Sequence, residues 1–359
     1  MTAMPAMIAT RTMELRRRRG LMIAVVAMDI GFPALFLLIR LILHVFAPRT
    51  SPPAGGDLIF VVITAGFLPT FSFITAVLVG GTAGSRDLAE GTFRHLVVTG
   101  RSRLALYLVR IPAGLAILLP VIAVSYTLVC AVSAFAAPTF VDDWNVNIPP
   151  GLSQAGFERW AANHARPVIC SLASGRIQTV AGCSSPPSWS KSAITPAQPA
   201  PRKLEAAAIQ IARRNYRGYT RIIVSPSISL MIKAGLWIEL QATVAFVIAL
   251  GLASLMGQRT GPVLLLLVLQ LIVTPILAAV VIPHLQDLQR SFAGLAIARL
   301  EPSGLPGAAA LPGITGGVGG PGRAHSLPPG SAAMASWVII GWLAAWTIIG
   351  AWRMMTRDA

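Results

Sequence analysis

Six runs of apolar residues govern what this chain can fold into: Leu21–Ala47, Leu58–Gly80, Leu104–Ala137, Ile228–Met256, Pro262–Pro283 and Ala333–Trp352. A bilayer core takes about 20 apolar residues as a helix, and each run meets that length. The expected fold is an all-α integral membrane protein with six transmembrane helices. The third run would measure about 50 Å as a single helix, so it must tilt, bend or project beyond the membrane. Pro112 and Pro120 mark its bends, because each removes a helical hydrogen bond.

Composition agrees. Hydrophobic residues make up 55 % of the chain and charged residues 12 %, against about 25 % charged in soluble domains. A net charge of +16 would suit a nucleic-acid binder if it lay on one face of a soluble fold. Here the charges fall in the gaps between apolar runs, where a bilayer protein carries them, so nucleic acid is excluded as a partner and the lipid bilayer is expected as one.

Orientation follows from Lys and Arg in the short flanks, which favour the cytoplasm. Arg11 and Arg16 to Arg19, then Arg86, Arg94, Arg101 and Arg103, then Arg259, and finally Arg353 and Arg357 fall on one side. Against these twelve, the opposite side has four: Arg49, Arg290, Arg299 and Arg323. Both termini are therefore expected in the cytoplasm, with Ser85 to Arg103 as a cytoplasmic loop. A signal peptide is a rival reading of "RRRRGLMIAVVAM". Its apolar run is too long, and Arg40 and Pro48 follow without a small-residue cleavage site.

The expected organisation is a basic interfacial segment (1–20), three spans (21–137) with a cytoplasmic helix at 85–100, and an extracytoplasmic insertion (138–227). Two spans (228–283), an external helix with a Gly/Pro-rich linker (284–332), and the last span with its tail (333–359) complete it. The insertion is basic, but loops beyond about 60 residues are translocated with little regard to charge. Within it, Leu152 to Ala165 and Arg202 to Tyr216 read as amphipathic helices. Cys170 and Cys183 both lie there, in an oxidising compartment, and are expected to form a disulfide; Cys130 reads as a small core residue of the third span. In "HLQDLQRSFAGLAIARL", Leu285, Leu288, Phe292, Leu295 and Leu300 lie near one helical face. That helix is open to three placements: at the outer interface, dipping back into the membrane, or on the surface.

Catalytic signatures are absent. There is no Walker phosphate loop, no H-E-x-x-H, no paired C-x-x-C and no nucleophile elbow, and the five histidines are scattered singly. The chain is not expected to be an enzyme or to hold a metal. Polar residues inside spans carry more weight, since charge in hydrocarbon is costly. Asp29 sits well inside the first span, Glu239 and Gln241 in the fourth, and Gln270 in the fifth. Each either fixes helix packing or lines a translocation path. Arg40, Arg110 and Lys233 are close enough to span ends to snorkel.

The segment "SRDLAEGTFRHLVVTG" (Ser85 to Gly100) breaks the apolar pattern. On a helix, Arg86, Asp87, Glu90 and Arg94 share an arc of about 100°, with Leu88, Ala89, Thr92, Phe93 and Leu96 opposite. Ser85 would cap its N-terminus. Arg86 with Glu90 and Glu90 with Arg94 are pairs worth a few tenths of a kcal/mol each, too weak to explain the segment by stability alone. A mixed-sign face suits a protein surface better than anionic lipid.

The run "SRDLAEGTFRHLVVTGRSRLALYLVRIPAG" resembles the region between the second and third spans of permease subunits of exporter-type ABC transporters, the type-2 family. Arg86, Asp87, Glu90, Gly91, Thr92 and Arg94 stand where that family has its cytoplasmic coupling helix, followed by Gly100, Arg101 and Arg103. "RTMELRRRRG" resembles the family's interfacial helix before the first span. The resemblance implies an exporting permease in a bacterial-type cytoplasmic membrane, paired with a second permease copy. It also implies separate ABC ATPase subunits that bind the ATP and Mg, with no cofactor in this chain. Residues Arg86, Asp87, Leu88, Glu90, Gly91, Thr92, Phe93 and Arg94 would form the ATPase contact. The insertion departs from that family's compact pattern. Two alternatives stay open: an ion-coupled secondary transporter using Asp29 and Glu239, and a membrane scaffold displaying the insertion.

Overall fold

The structure is a computed structural model. It describes residues 3–46, 55–89, 102–136, 141–143, 146–148, 152–165, 168, 202–223, 226–279, 286–303, 305 and 331–356. Five helices are long and apolar enough to cross a membrane: Arg19–Phe46, Ile59–Ser85, Arg103–Phe135, Ile228–Met256 and Ala332–Thr356. They coincide with five of the six apolar runs. The fifth run holds a shorter apolar helix, Thr260–Val273, which continues as Thr274–Ala279. In chain order we name α1 (Ala3–Arg16), α2 (Arg19–Phe46), α3 (57–89), α4 (Arg103–Phe135), α5 (Gln154–Asn163) and α6 (Arg202–Ile223). Then follow α7 (Ile228–Met256), α8 (260–279), α9 (Gln286–Ser291), α10 (Ala293–Arg299) and α11 (Ala332–Thr356).

The chain divides into two compact units, one of Met1–Leu38, Phe60–Ala131 and Ser227–Ala359, the other of Ile39–Ile59 and Val132–Pro226. In the first, three helices share one backbone device. α2, α3 and α8 each contain a π-helical turn, Ala27–Gly31, Ile63–Phe67 and Leu269–Val273. Each turn ends two residues before a proline: Pro33, Pro69 and Pro275. A proline has no N–H for the carbonyl four residues back. The residue before each proline, Phe32, Leu68 or Thr274, donates instead to the carbonyl five residues back, on Ala27, Ile63 or Leu269. The helix thus crosses the proline with a wider turn rather than a break. In α4 the discontinuity falls at Val109, and Pro112 lies in the first turn of the helix Arg110–Phe135 that follows.

The segment Gln286–Arg299 differs from its expected form. It is two short helices, α9 and α10, separated at Phe292, whose backbone is extended (φ −77°, ψ 124°). Leu295 is fully buried while Leu288 is 64 % exposed, so the expected single apolar face does not exist. The indole N–H of Trp237 donates to the Ile297 carbonyl at 2.9 Å, that of Trp342 to Ser291 at 2.7 Å, and Gln289 to Leu277 at 3.3 Å. Trp237 lies nine residues into α7 and Trp342 ten into α11, about 14 and 15 Å along each axis. The pair therefore sits beside the interior of two membrane-length helices, not at their tips.

In the second unit, α5 and α6 confirm the two helices expected in the insertion. Ser153 caps α5 by accepting from the Gly156 N–H at 3.2 Å. Phe157, Ala161, Ala165 and Val168 pack against Ala208 and Ala212 in a closed apolar core. Arg213 grips Glu158 with two bonds of 3.0 and 3.1 Å, which hold the Glu158 carboxyl below the usual carboxylate range. Tyr216 donates to the Leu152 carbonyl at 3.2 Å; these pairings make the two helices antiparallel. A short antiparallel hairpin, Val141–Asp143 with Val146–Ile148, was not expected. The expected disulfide, Cys170 with Cys183, lies outside the described residues; Cys130 is a free, half-buried thiol in α4.

The main seam of the first unit joins α3 to α7. Gly80 and Gly84, four residues apart, let α3 lie directly on the α7 backbone, the small-residue packing of membrane helices. A Cβ on Gly84 would stand 2.5 Å from the Leu250 carbonyl oxygen and 2.9 Å from Ala253 Cβ, and one on Gly80 would run into the Phe246 carbonyl oxygen. Gly84→Val should therefore destabilise the fold by at least about 1–3 kcal/mol, read as a lower unfolding midpoint in detergent. Gly341→Ala, where a Cβ meets nothing within 4 Å in the interior of α11, should not lower that midpoint, since Ala favours a helix over Gly.

Candidate functional site

Asp29 is fully buried (0 % exposed) in the π-helical turn of α2. Pro33 stands four residues on and has no N–H for the Asp29 carbonyl. That carbonyl accepts instead from the Ser125 hydroxyl of α4. On the side chain, Ser72 of α3 donates to Oδ1 at 3.1 Å. Thr75, one turn further along α3, stands against the same carboxylate, and its hydroxyl lies 3.1 Å from the Phe71 and Ser72 carbonyl oxygens. Oδ2 is buried with no hydrogen-bond partner among the described residues. Among the described residues no Lys, Arg or His forms an ion pair with it. The result is a cluster of oxygens tying α2 to α3 and α4, with a buried carboxyl group that has no described cationic partner.

The other predicted polar residues stand apart from it. Glu239 is half-buried, and only its carbonyl has a described partner, the Thr243 hydroxyl at 2.8 Å. Gln241, on the same helix, is 7 % exposed and its Oε1 has no hydrogen-bond partner among the described residues. Gln270 Oε1 lies 3.4 Å from the Thr274 hydroxyl, where α8 meets Gly294 of α10. No described hydrogen bond joins Asp29 to any of them. Among the described residues no group of three or more His, Cys, Asp or Glu side chains comes together to hold a metal ion.

Ser72, Thr75 and Ser125 went unnoticed in the sequence, although a signal was present. Thr64, Ser72, Thr75, Thr82 and Ser85 recur along α3 at helical spacing, and all are buried. Small hydroxyl residues so spaced in a span mark the face packed against other helices.

The mixed-charge segment begins inside α3. The helix continues unbroken through Ala89, so Ser85 is not a helix N-cap; its hydroxyl donates to the Gly81 carbonyl at 2.8 Å. Arg86, Asp87 and Leu88 belong to this helix, and Glu90, Gly91, Thr92, Phe93 and Arg94 lie outside the described residues. Arg110 does not snorkel. It is 3 % exposed and donates to the Gly84 carbonyl at 3.2 Å, which the Ser254 hydroxyl also approaches at 3.4 Å. Arg103 donates to Met355 near the end of α11 at 3.1 Å. The end of α3, the start of α4 and the ends of α7 and α11 thus meet at one end of the bundle. Thr12 of α1 touches the Ala113 carbonyl of α4 at 3.5 Å.

No family model, no curated protein and no solved structure matches this chain. The site is therefore judged on its own chemistry. Ser72→Ala leaves the Asp29 carboxylate, and Ser125→Ala the Asp29 carbonyl, short of a buried donor. Each should cost about 1–3 kcal/mol, measured by thermal unfolding in detergent. Thr127→Ala, which removes an exposed hydroxyl bonded only within its own helix, should be silent.

Proposed function

We propose that this chain is the permease subunit of an exporter-type ABC transporter. It pairs with a second permease copy and with two separate ATPase subunits that bind ATP and Mg. It resides in a bacterial-type cytoplasmic membrane with both termini inside, and α8 serves as the sixth span. The observation that carries the reading is the continuity of α3 into the mixed-charge segment. A helix sealed to α7 at Gly80 and Gly84 runs past the apolar region to Ala89, where Arg86 and Asp87 begin the segment. On this reading Glu90, Gly91, Thr92, Phe93 and Arg94 meet the ATPase, and its closing strokes pass along α3 into the bundle. The missing Walker loop fits this division of labour. α1, held by an Arg11–Glu14 pair at 2.8 Å and a buried Leu15, serves as the interfacial helix before the first span.

Asp29 favours a second reading, an ion-coupled secondary transporter, because a buried carboxylate without a cationic partner is a common device of such carriers. Sealed vesicles separate the two: transport that persists with ATP and an uncoupler present supports the ABC reading, and abolition supports ion coupling. On the ABC reading, Glu90→Arg and Arg94→Glu place like charges against the partner. Each should lower ATP-driven transport about tenfold or more while the permease keeps its unfolding midpoint. Variants that transport at the normal rate with a normally stimulated ATPase would overturn it.

A further inference from the structure

Asp29 carries more than helix packing requires. A neutral Asn or Ser supplies an interhelical hydrogen bond within a span; a carboxylate adds a charge whose burial is costly until a cation meets it. The side chain is 0 % exposed, with Oδ1 held by Ser72 at 3.1 Å and Oδ2 unpartnered. The groups described against it are neutral oxygens: the Ser72 and Thr75 hydroxyls, with the Ser125 hydroxyl on the Asp29 carbonyl. The backbone at this point is π-helical. An irregular stretch of helix beside polar oxygens is how membrane proteins make room for small cations. The donors are hard oxygens without nitrogen or sulfur, which disfavours transition metals. A single carboxylate balances a single positive charge.

We infer that the Asp29, Ser72 and Thr75 cluster binds one monovalent alkali cation, with Asp29 Oδ2 as its charged ligand. The ion acts as a removable tie between α2 and α3: bound, it neutralises the carboxylate and holds the helices together, and released, it leaves a buried charge that favours their separation. The inference does not depend on the permease reading. Neither readout below involves an ATPase, so either can fail alone.

The test uses the full chain purified in detergent, with sodium, potassium or choline chloride at constant ionic strength. Saturable binding of radioactive sodium, one ion per chain, is expected. So is a rise in unfolding temperature of about 2 °C at ten times the dissociation constant, absent in choline. Asp29→Asn keeps an acceptor for Ser72 and should fold, yet lose both the binding and the sodium-dependent rise. Ser72→Ala should weaken binding about tenfold. Absence of saturable sodium or potassium binding in the wild-type chain overturns the inference, as does equal binding by Asp29→Asn.

Discussion

A peptide carbonyl inside hydrocarbon must find a hydrogen atom within the protein, because no water will supply one. Three prolines, Pro33, Pro69 and Pro275, each deprive the carbonyl four residues back of its helical donor, and each stands just beyond a π-helical turn. In α2 the missing donor is supplied from outside the helix, by the Ser125 hydroxyl on the Asp29 carbonyl. The polar residues of these spans are therefore placed by the backbone's needs as much as by side-chain chemistry. Asp29 is buried and positioned because the turn before Pro33 turns it toward α3.

Much of the fold was legible in the sequence, and the reasons differ by element. α7 matched its expected bounds, Ile228–Met256, because Ser227 caps one end at 3.2 Å and Gly257, left-handed at φ 70°, closes the other. α3 did not match, because the change from apolar to charged residues marks where hydrocarbon would end, not where helical backbone ends. The break at Phe292 was invisible because its cause is tertiary: two indole donors on distant helices select the Ser291 and Ile297 carbonyls. Arg110 was misplaced for a similar reason, since a position near a span end allows snorkelling but does not reveal the carbonyl of Gly84 waiting beside it.

Within the candidate site, the residue that carried a charge was found and those that surround it were not. A carboxylate in an apolar run stands out in one dimension; serine and threonine do not, because single hydroxyls are common in spans and acquire meaning only from what faces them. Glu239, Gln241 and Gln270 were singled out by the same logic as Asp29. Grouping residues by polarity alone overlooked that helix position decides which can meet.

The glycine seam between α3 and α7 has a mechanical meaning. Where two backbones touch with no side chains between them, one helix cannot slide along the other without driving carbonyl oxygens into neighbouring atoms, and it cannot roll without losing the contact. The two helices behave as one strut, clamped at its end where Arg110 and Ser254 approach the same Gly84 oxygen. Any shape change in the first unit must then be taken up by helices that meet the strut through side chains, above all α2, whose tie to it is two phenylalanine pairs, Phe32 with Phe71 and Phe36 with Phe67, and the Ser72 hydroxyl on the Asp29 carboxyl. Stiffness and compliance are thus assigned to different helices by the size of a single atom, Cβ.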